Sequence, residues 1–166
     1  MLRWLDRFCH WLAATPLSQA LQSETWIVPA LQTVHILCVA LVFSSALLID
    51  LRIFGAVSRA QPEAGVAARF LPSLWWPLPV LLATGSLLIS AEPARSLENP
   101  SFQIKMALLV AAIAVTYAYQ RPLRHDAEYW HRTGQRRHAA RLVAAASAAL
   151  WIGIILAGRW IAYTQE

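Results

Sequence analysis

Four long apolar runs alternate with polar stretches along the chain, approximately at residues 26–49, 74–91, 100–120 and 142–163. About 20 apolar residues, rising about 1.5 Å each, cross a hydrocarbon core of about 30 Å. The pattern therefore predicts an all-α, integral membrane four-helix bundle, in which residues 1–166 form a single transmembrane domain.

Local sequence at the edges of these runs is typical of helix ends. Gly55 supplies a left-handed stop after the first run, and Asn99 followed by Pro100 begins the third. In the first connector, Pro62 predicts a short helix that ends before Pro72. Pro77, early in the second run, predicts a local distortion.

The first residues form an amphipathic pattern that is too short and too polar to span a membrane. Apolar side chains recur at helical spacing over approximately residues 2–13, with charged ones between them. We expect an N-terminal amphipathic helix that lies in the membrane interface. The pattern consists of Leu2, Leu5, Cys9 and Leu12, flanked by Trp4, Phe8 and Trp11 and interleaved with Arg3, Asp6, Arg7 and His10.

Composition agrees with a membrane protein, because 58% of the residues are hydrophobic and only 14% are charged. Soluble domains carry about 25% charged residues. The formal net charge of +5 comes largely from arginines between the apolar runs, where they orient the protein and contact anionic lipid. This distribution argues against nucleic-acid binding, and the two unpaired cysteines indicate neither a disulfide framework nor a zinc site.

Arginine is concentrated on the side of the first and third connectors. The positive-inside rule therefore places these connectors in the cytoplasm. In a bacterium the protein would lie in the cell inner membrane with both termini periplasmic. The connector side holds Arg52, Arg59, Arg69, Arg121, Arg124, Arg132, Arg136, Arg137 and Arg141, and the terminal side holds Arg3, Arg7, Arg95, Lys105 and Arg159.

Four ionisable residues, one from each span, fall in the terminal half of the membrane: His35, Glu92, Lys105 and Arg159. Ionisable groups within a span are costly and usually functional. If they face inward, they form a cofactor-binding cluster. A neutral imidazole such as His35 can ligate haem iron, and Lys105 and Arg159 can hold propionates. Hydrogen bonding of His35 to a quinone is the alternative, and Lys105 and Arg159 could instead snorkel to the interface.

Other polar residues favour structural interpretations. We expect Asp50 and Arg52 to pair at the connector-side interface, with proton entry at Asp50 as the alternative. His125, His131 and His138 lack the spacing of a helical metal site and indicate a solvated basic face.

Small residues recur every fourth position in the last run, at Ala145, Ala149, Gly153 and Ala157. Such ridges let helices approach closely in lipid. We expect this face to pack against the bundle, a second protomer or a partner membrane subunit.

The segments WIVPALQTVHILCVALVFSSALLIDLRIFG, TGSLLISAEP, NPSFQIKMALL and WIGIILAGRWIAY resemble an uncharacterised family of bacterial four-helix membrane proteins. The histidine midway along the first span, the arginine at its end and the lysine in QIKMALLV are also similar to HemJ-type protoporphyrinogen oxidases and CopD-like copper-resistance membrane proteins. In the HemJ-type family the matching histidine and lysine take part in haem binding and catalysis. The resemblance implies such roles for His35 and Lys105.

Together these observations favour a redox membrane protein that binds b-type haem or quinone in its periplasmic half. A non-catalytic anchor or assembly subunit, joined to its partner through the small-residue ridge, is the second interpretation. A small CopD-like transporter is the third, and the scarcity of methionine weakens it because soft ligands suit copper(I).

Overall fold

The computed structural model describes residues 3–56, 63–123, 125–126 and 128–160. The predicted helix starts at Leu2 and Pro62 and the predicted end of the fourth span at Tyr163 lie outside these residues. Within them the chain forms helices α1 (Arg3–Ala13), α2 (Pro16–Ser23), α3 (Ile27–Phe54), α4 (Glu63–Trp75), α5 (Pro77–Ala91), α6 (Pro93–Leu97), α7 (Pro100–Leu123) and α8 (Gly134–Trp160).

Among the described residues, four helical segments are long and apolar enough to cross a membrane: α3, residues 68–91, α7 and α8. This confirms the predicted four-helix membrane fold. Helix α7 packs along α8, α8 packs on α3, and α3 packs on α4 and α5. No comparable contact joins α5 to α7 in the described chain, so the bundle is open between these two helices.

Two apolar clusters fill the interior of the bundle, one above the other. The central cluster brings together all four spans and contains Val42, Ala46, Leu74, Ala112, Trp151 and Ile154. The second cluster lies toward the connector side and contains Ile49, Ile53, Tyr119, Ala140 and Ala144. These layers fix the neighbours of the polar groups on α3.

The second crossing differs from its prediction because α4 continues through Pro72 to Trp75. Only Trp76 separates α4 from α5, and its N–H donates to the Pro72 carbonyl at 2.9 Å. Proline within a helix removes one donor. Pro77 and Pro79 therefore interrupt the bonding just after Trp76, and the predicted distortion lies there rather than at Pro72.

Helix α8 begins at Gly134, about two turns before the predicted start at residue 142. Thr133 Oγ1 accepts a hydrogen bond from the Arg136 N–H at 3.2 Å and so caps the helix start. Burial of Ala140 on the connector-side cluster supports the added turns. The hydropathy pattern missed these turns because basic residues hold half of their positions.

The third connector folds back onto the end of α7. The Trp130 ring stacks on Tyr119 with ring centroids 5.6 Å apart, and its indole N–H donates to the Tyr119 carbonyl at 3.2 Å. Arg132 pairs with Asp126 at 2.8 Å. The three connector-side histidines are exposed, as a solvated basic face requires: His125, His131 and His138.

The amphipathic N-terminal helix is present as α1, and α2, which hydropathy did not predict, follows it. Cys9 is buried, and α1 packs mainly on α6. Trp4 and Trp11 are exposed, as expected for side chains that enter the lipid interface. The Gln22 amide donates to the Ala91 carbonyl at 2.6 Å and ties α2 to the end of α5.

We expect Cys9 to react slowly with N-ethylmaleimide in a Cys38→Ser background. Burial raises the pKa of the Cys9 thiol, with further contributions from Glu98 and Asp6. The thiolate is the reactive form, so labelling should rise only at a higher pH than for an ordinary thiol. Mass spectrometry of pH-dependent labelling measures this, with a cysteine at exposed Gln19 as the control. Equal rates at the two positions would show that α1 does not dock on α6.

Candidate functional site in the terminal half of the bundle

His35 on α3 is hydrogen-bonded to Thr84 on α5, with 2.8 Å between Nδ1 and Oγ1. The Thr84 hydroxyl donates its single proton to the Val80 carbonyl at 2.7 Å. Because the Val80 carbonyl is the nearest acceptor for the Thr84 hydroxyl proton, we assign Thr84 as the acceptor for His35 and the ring proton to Nδ1. The Nε2 lone pair is left available, because Nε2 makes no hydrogen bond within the described residues.

Gly85 allows the imidazole to lie directly against α5. A Cβ at this position would stand 3.4 Å from His35 Cε1 and 4.0 Å from Nδ1. This is ordinary contact for a methyl group but leaves no room for a longer side chain. Close approach of α3 to α5 thus holds the Nδ1 edge of the ring and fixes its orientation.

Lys105 on α7 is the charged group that acts electrostatically on His35. Its side chain runs along α8 at Gly158, where an added Cβ would lie 3.8 Å from Cδ, Cε and Nζ. Lys105 therefore lies against α8, whereas His35 lies against α5, and the two interact electrostatically. Arg159 follows Gly158 directly and is exposed in the last turn of α8.

Glu92 takes a different position from the one expected for a member of the cluster. Its carboxylate accepts a hydrogen bond from the Arg95 guanidinium at 2.7 Å, and both side chains are about half exposed, at 49% and 50%. Glu92 lies at the junction of α5 and α6 and forms a local ion pair. The pairing at i, i+3 explains why an acidic residue is tolerated at this depth.

Thr84 is the site residue that sequence reasoning missed. Threonine in an apolar helix usually returns its hydroxyl proton to the carbonyl four residues earlier, as Thr84 does. Its adjacency to Gly85 in the second span was the only available signal, because a small residue beside a hydroxyl marks a close helix approach.

The bonding of His35 is compatible with a histidine that would ligate haem iron. An imidazole that ligates a metal through one nitrogen usually donates from the other, which fixes its tautomer and orientation. Thr84 provides that second contact here. The described residues contain no group of three or more His, Cys, Asp or Glu side chains that could hold a bare metal ion.

The small-residue ridge of α8 is used partly inside the chain. A Cβ at Gly153 would stand 3.2 Å from Leu108 Cδ1 on α7. Ala145 and Ala149 are exposed and Ala157 is half-buried. Gly153 therefore serves the α7–α8 contact, which fits the expected packing of this face against the bundle.

The fold and the polar site between its spans define a polytopic α-helical membrane protein. The chain belongs to a family of unknown function, DUF6644, whose model matches residues 24–164. No curated protein and no solved structure matches the chain significantly. These comparisons support the uncharacterised family and give no support to the likeness to HemJ-type or CopD-like proteins.

We expect Gly85→Leu to destabilise the protein by about 1–3 kcal/mol, because the larger side chain must push His35 and α3 away from α5. Gly85→Ala should be tolerated. The thermal unfolding midpoint in detergent measures both variants. Ser86→Leu is the matched control, since Ser86 is exposed in the same turn. Equal midpoints for Gly85→Leu and Ser86→Leu would contradict the close approach.

Proposed function

We propose that this membrane protein binds a b-type haem through His35 in the terminal half of its bundle, for a redox role. The observation that carries the proposal is the bonding of His35. Thr84 holds Nδ1, and the free lone pair lies on Nε2. An imidazole held in this way is suited to ligate iron.

Lys105 would hold a haem propionate, because it is the charged group that acts electrostatically on His35. A cation there offsets the cost of bringing a carboxylate into the membrane. Exposed Arg159, next to Gly158, would contact the second propionate or the aqueous interface. Glu92 has no part in the proposal, because Arg95 already occupies its carboxylate.

The open side of the bundle supports binding of a flat, apolar ligand. Helices α5 and α7 lack the extensive contact that joins the other neighbours. Only 6% of the most apolar stretch of α7 is buried, so this helix has surface to offer. The short helix α6 joins α5 to α7 on the terminal side, and α1 packs over it. A ligand at His35 would therefore enter laterally and be covered from the terminal side.

A bound b-type haem would supply one-electron transfer. His35 would orient the group through its fixed ring, and Thr84 would keep that ring in one tautomer. Lys105 would compensate acidic groups and exclude a second cation from the same place. From the arginine distribution we place this site in the periplasmic half of a bacterial inner membrane.

A quinol is the second candidate ligand for the same atom. A quinone carbonyl can only accept a hydrogen bond, and Nε2 of this tautomer can also only accept one, so the two cannot pair. A quinol hydroxyl could donate to Nε2. The bonding at Thr84 thus favours the reduced form of a quinone and makes haem the first choice, since iron also requires a lone pair.

The first test is a visible absorption spectrum of protein purified in detergent from haem-replete cells, before and after reduction by dithionite. We expect a Soret band and reduced b-type peaks that disappear in His35→Ala. His138→Ala is the matched control, because His138 is exposed on the connector side and should retain the spectrum. A featureless spectrum from folded protein would overturn the haem proposal and leave the quinol to be tested.

Substitutions of Thr84 separate a positioning role from general packing. Thr84→Val keeps the shape and removes the acceptor for the His35 N–H, so the bound haem should shift in reduction potential and become heterogeneous in its spectrum. Thr84→Ser keeps the hydroxyl and should behave as the wild type. A potential that is the same in Thr84→Val and in the wild type would show that Thr84 does not orient the ligand.

A further inference from the structure

Asp50 on α3 is buried within the connector-side half of the bundle, with 5% of its surface exposed. The expected pair with Arg52 does not form. The Ser147 side chain of α8 lies within hydrogen-bonding reach of the Asp50 carboxyl, and the carboxyl oxygen Oδ2 has no hydrogen-bond partner among the described residues. Two residues apart on a helix, Asp50 and Arg52 point in different directions, which explains the missing pair.

A cavity of about 20 Å³ lies beside the Asp50 carboxyl. Its polar lining comes from Asp50, Thr116, Tyr119 and Ser147, and the other lining residues are apolar. A space of about 10–15 Å³ is enough for one water molecule if polar partners are present. Size and lining therefore suit a single water next to the open carboxyl oxygen.

No lysine, arginine, histidine or glutamate of the described chain lines this cavity, and Tyr119 is the only other titratable group in it. The basic residues nearest in sequence on the four packed helices stand outside the lining: Arg52 of α3, Arg69 of α4, Arg121 of α7 and Arg141 of α8. An ionised carboxylate without a cation costs several kcal/mol or more when buried. The geometry therefore favours a small positively charged species at Oδ2, either a proton or a metal cation.

We propose that Asp50 is a proton-binding group within the membrane, protonated at Oδ2 beside one water in this cavity. The proton comes from solution on the connector side and returns there, so the step is a reversible protonation of a carboxylate. Asp50 lies four residues, or about 6 Å, from the end of α3 at Phe54, which keeps the path short. His35 lies about 22 Å away along the same helix, so the proposal does not depend on haem binding.

The cavity favours a proton over a metal cation. A bound sodium ion would need several oxygen ligands around it, whereas the cavity has room for about one water beside the carboxyl. A proton needs only Oδ2 and one acceptor, which a single water provides. Membrane-embedded carboxyls of this kind are typical of proton relays.

Infrared spectroscopy of the full chain in lipid nanodiscs tests the proposal directly. A protonated carboxyl has a C=O stretching band that a carboxylate lacks. At about pH 6, two units above ordinary carboxyl values of about 4, exposed acids are ionised. We expect the band in the wild type and in Glu128→Gln, whose acid is exposed, and its loss in Asp50→Asn. Transfer to D₂O should shift the band.

Several results would overturn the proposal. These are no band in the wild type, a band that persists in folded Asp50→Asn, or one that does not shift in D₂O. Loss of the band when sodium replaces choline would assign the cavity to a metal cation instead. If Asp50→Asn does not fold, Ser147→Ala replaces it, because removing the hydrogen bond must move the band frequency. An unchanged frequency in that variant would contradict the assignment to Asp50.

Discussion

Lack of water in the hydrocarbon region is the constraint on which this structure depends, because every polar group there must find a partner within the protein. Most polar side chains satisfy this requirement by a hydrogen bond within their own helix. Thr33, Ser86 and Ser90 donate to carbonyls four residues earlier, at 2.8–2.9 Å. Trp75 donates across the bundle to Gln120 at 3.0 Å. Polar side chains whose hydrogen bonds are satisfied in this way contribute to packing and leave no open group for a ligand or a proton.

Two side chains on α3 depart from that rule, and both departures concern acceptors. His35 keeps the Nε2 lone pair open, and Asp50 keeps Oδ2 open. Other buried atoms without partners, such as Gln120 Nε2 and Trp151 Nε1, are neutral donors. An open acceptor attracts a proton or a metal, and the two open acceptors on α3 lie at two levels of the bundle.

Hydropathy alone was enough to predict the four crossings, because the bilayer fixes both their length and their composition. It predicted α1 from its apolar spacing but missed α2, whose eight residues are mixed in polarity. The start of α8 was missed for a related reason, since its first turns are basic and owe their helicity to Thr133 and to the packing of Ala140. Tertiary contact and capping, rather than hydropathy, decide such segments.

Depth along each span could be read from the sequence, whereas rotation about the helix axis could not. Depth led us to expect His35 and Lys105 at one level, and Lys105 is the charged group that acts electrostatically on His35. It also suggested Glu92, which instead pairs with Arg95, and gave no indication of Thr84. For Asp50 the sequence suggested an interfacial ion pair, because only the packing of α7 and α8 shows that the carboxyl faces inward. The rotation of each helix about its axis decides which residues at a given depth come into contact.

The interruption at Trp76 has a mechanical consequence. The carbonyls of Ser73 and Trp75 lose their usual donors at Pro77 and Pro79, so the second crossing, residues 68–91, bends most easily around Trp76. On the terminal side, α5 is fastened to α2 through Gln22, and on the connector side, α4 is fastened to α7 through Trp75. The crossing is thus held at its terminal end and directly beside the interruption. A tilt of α5 would be taken up around Trp76, and α4 would keep its place.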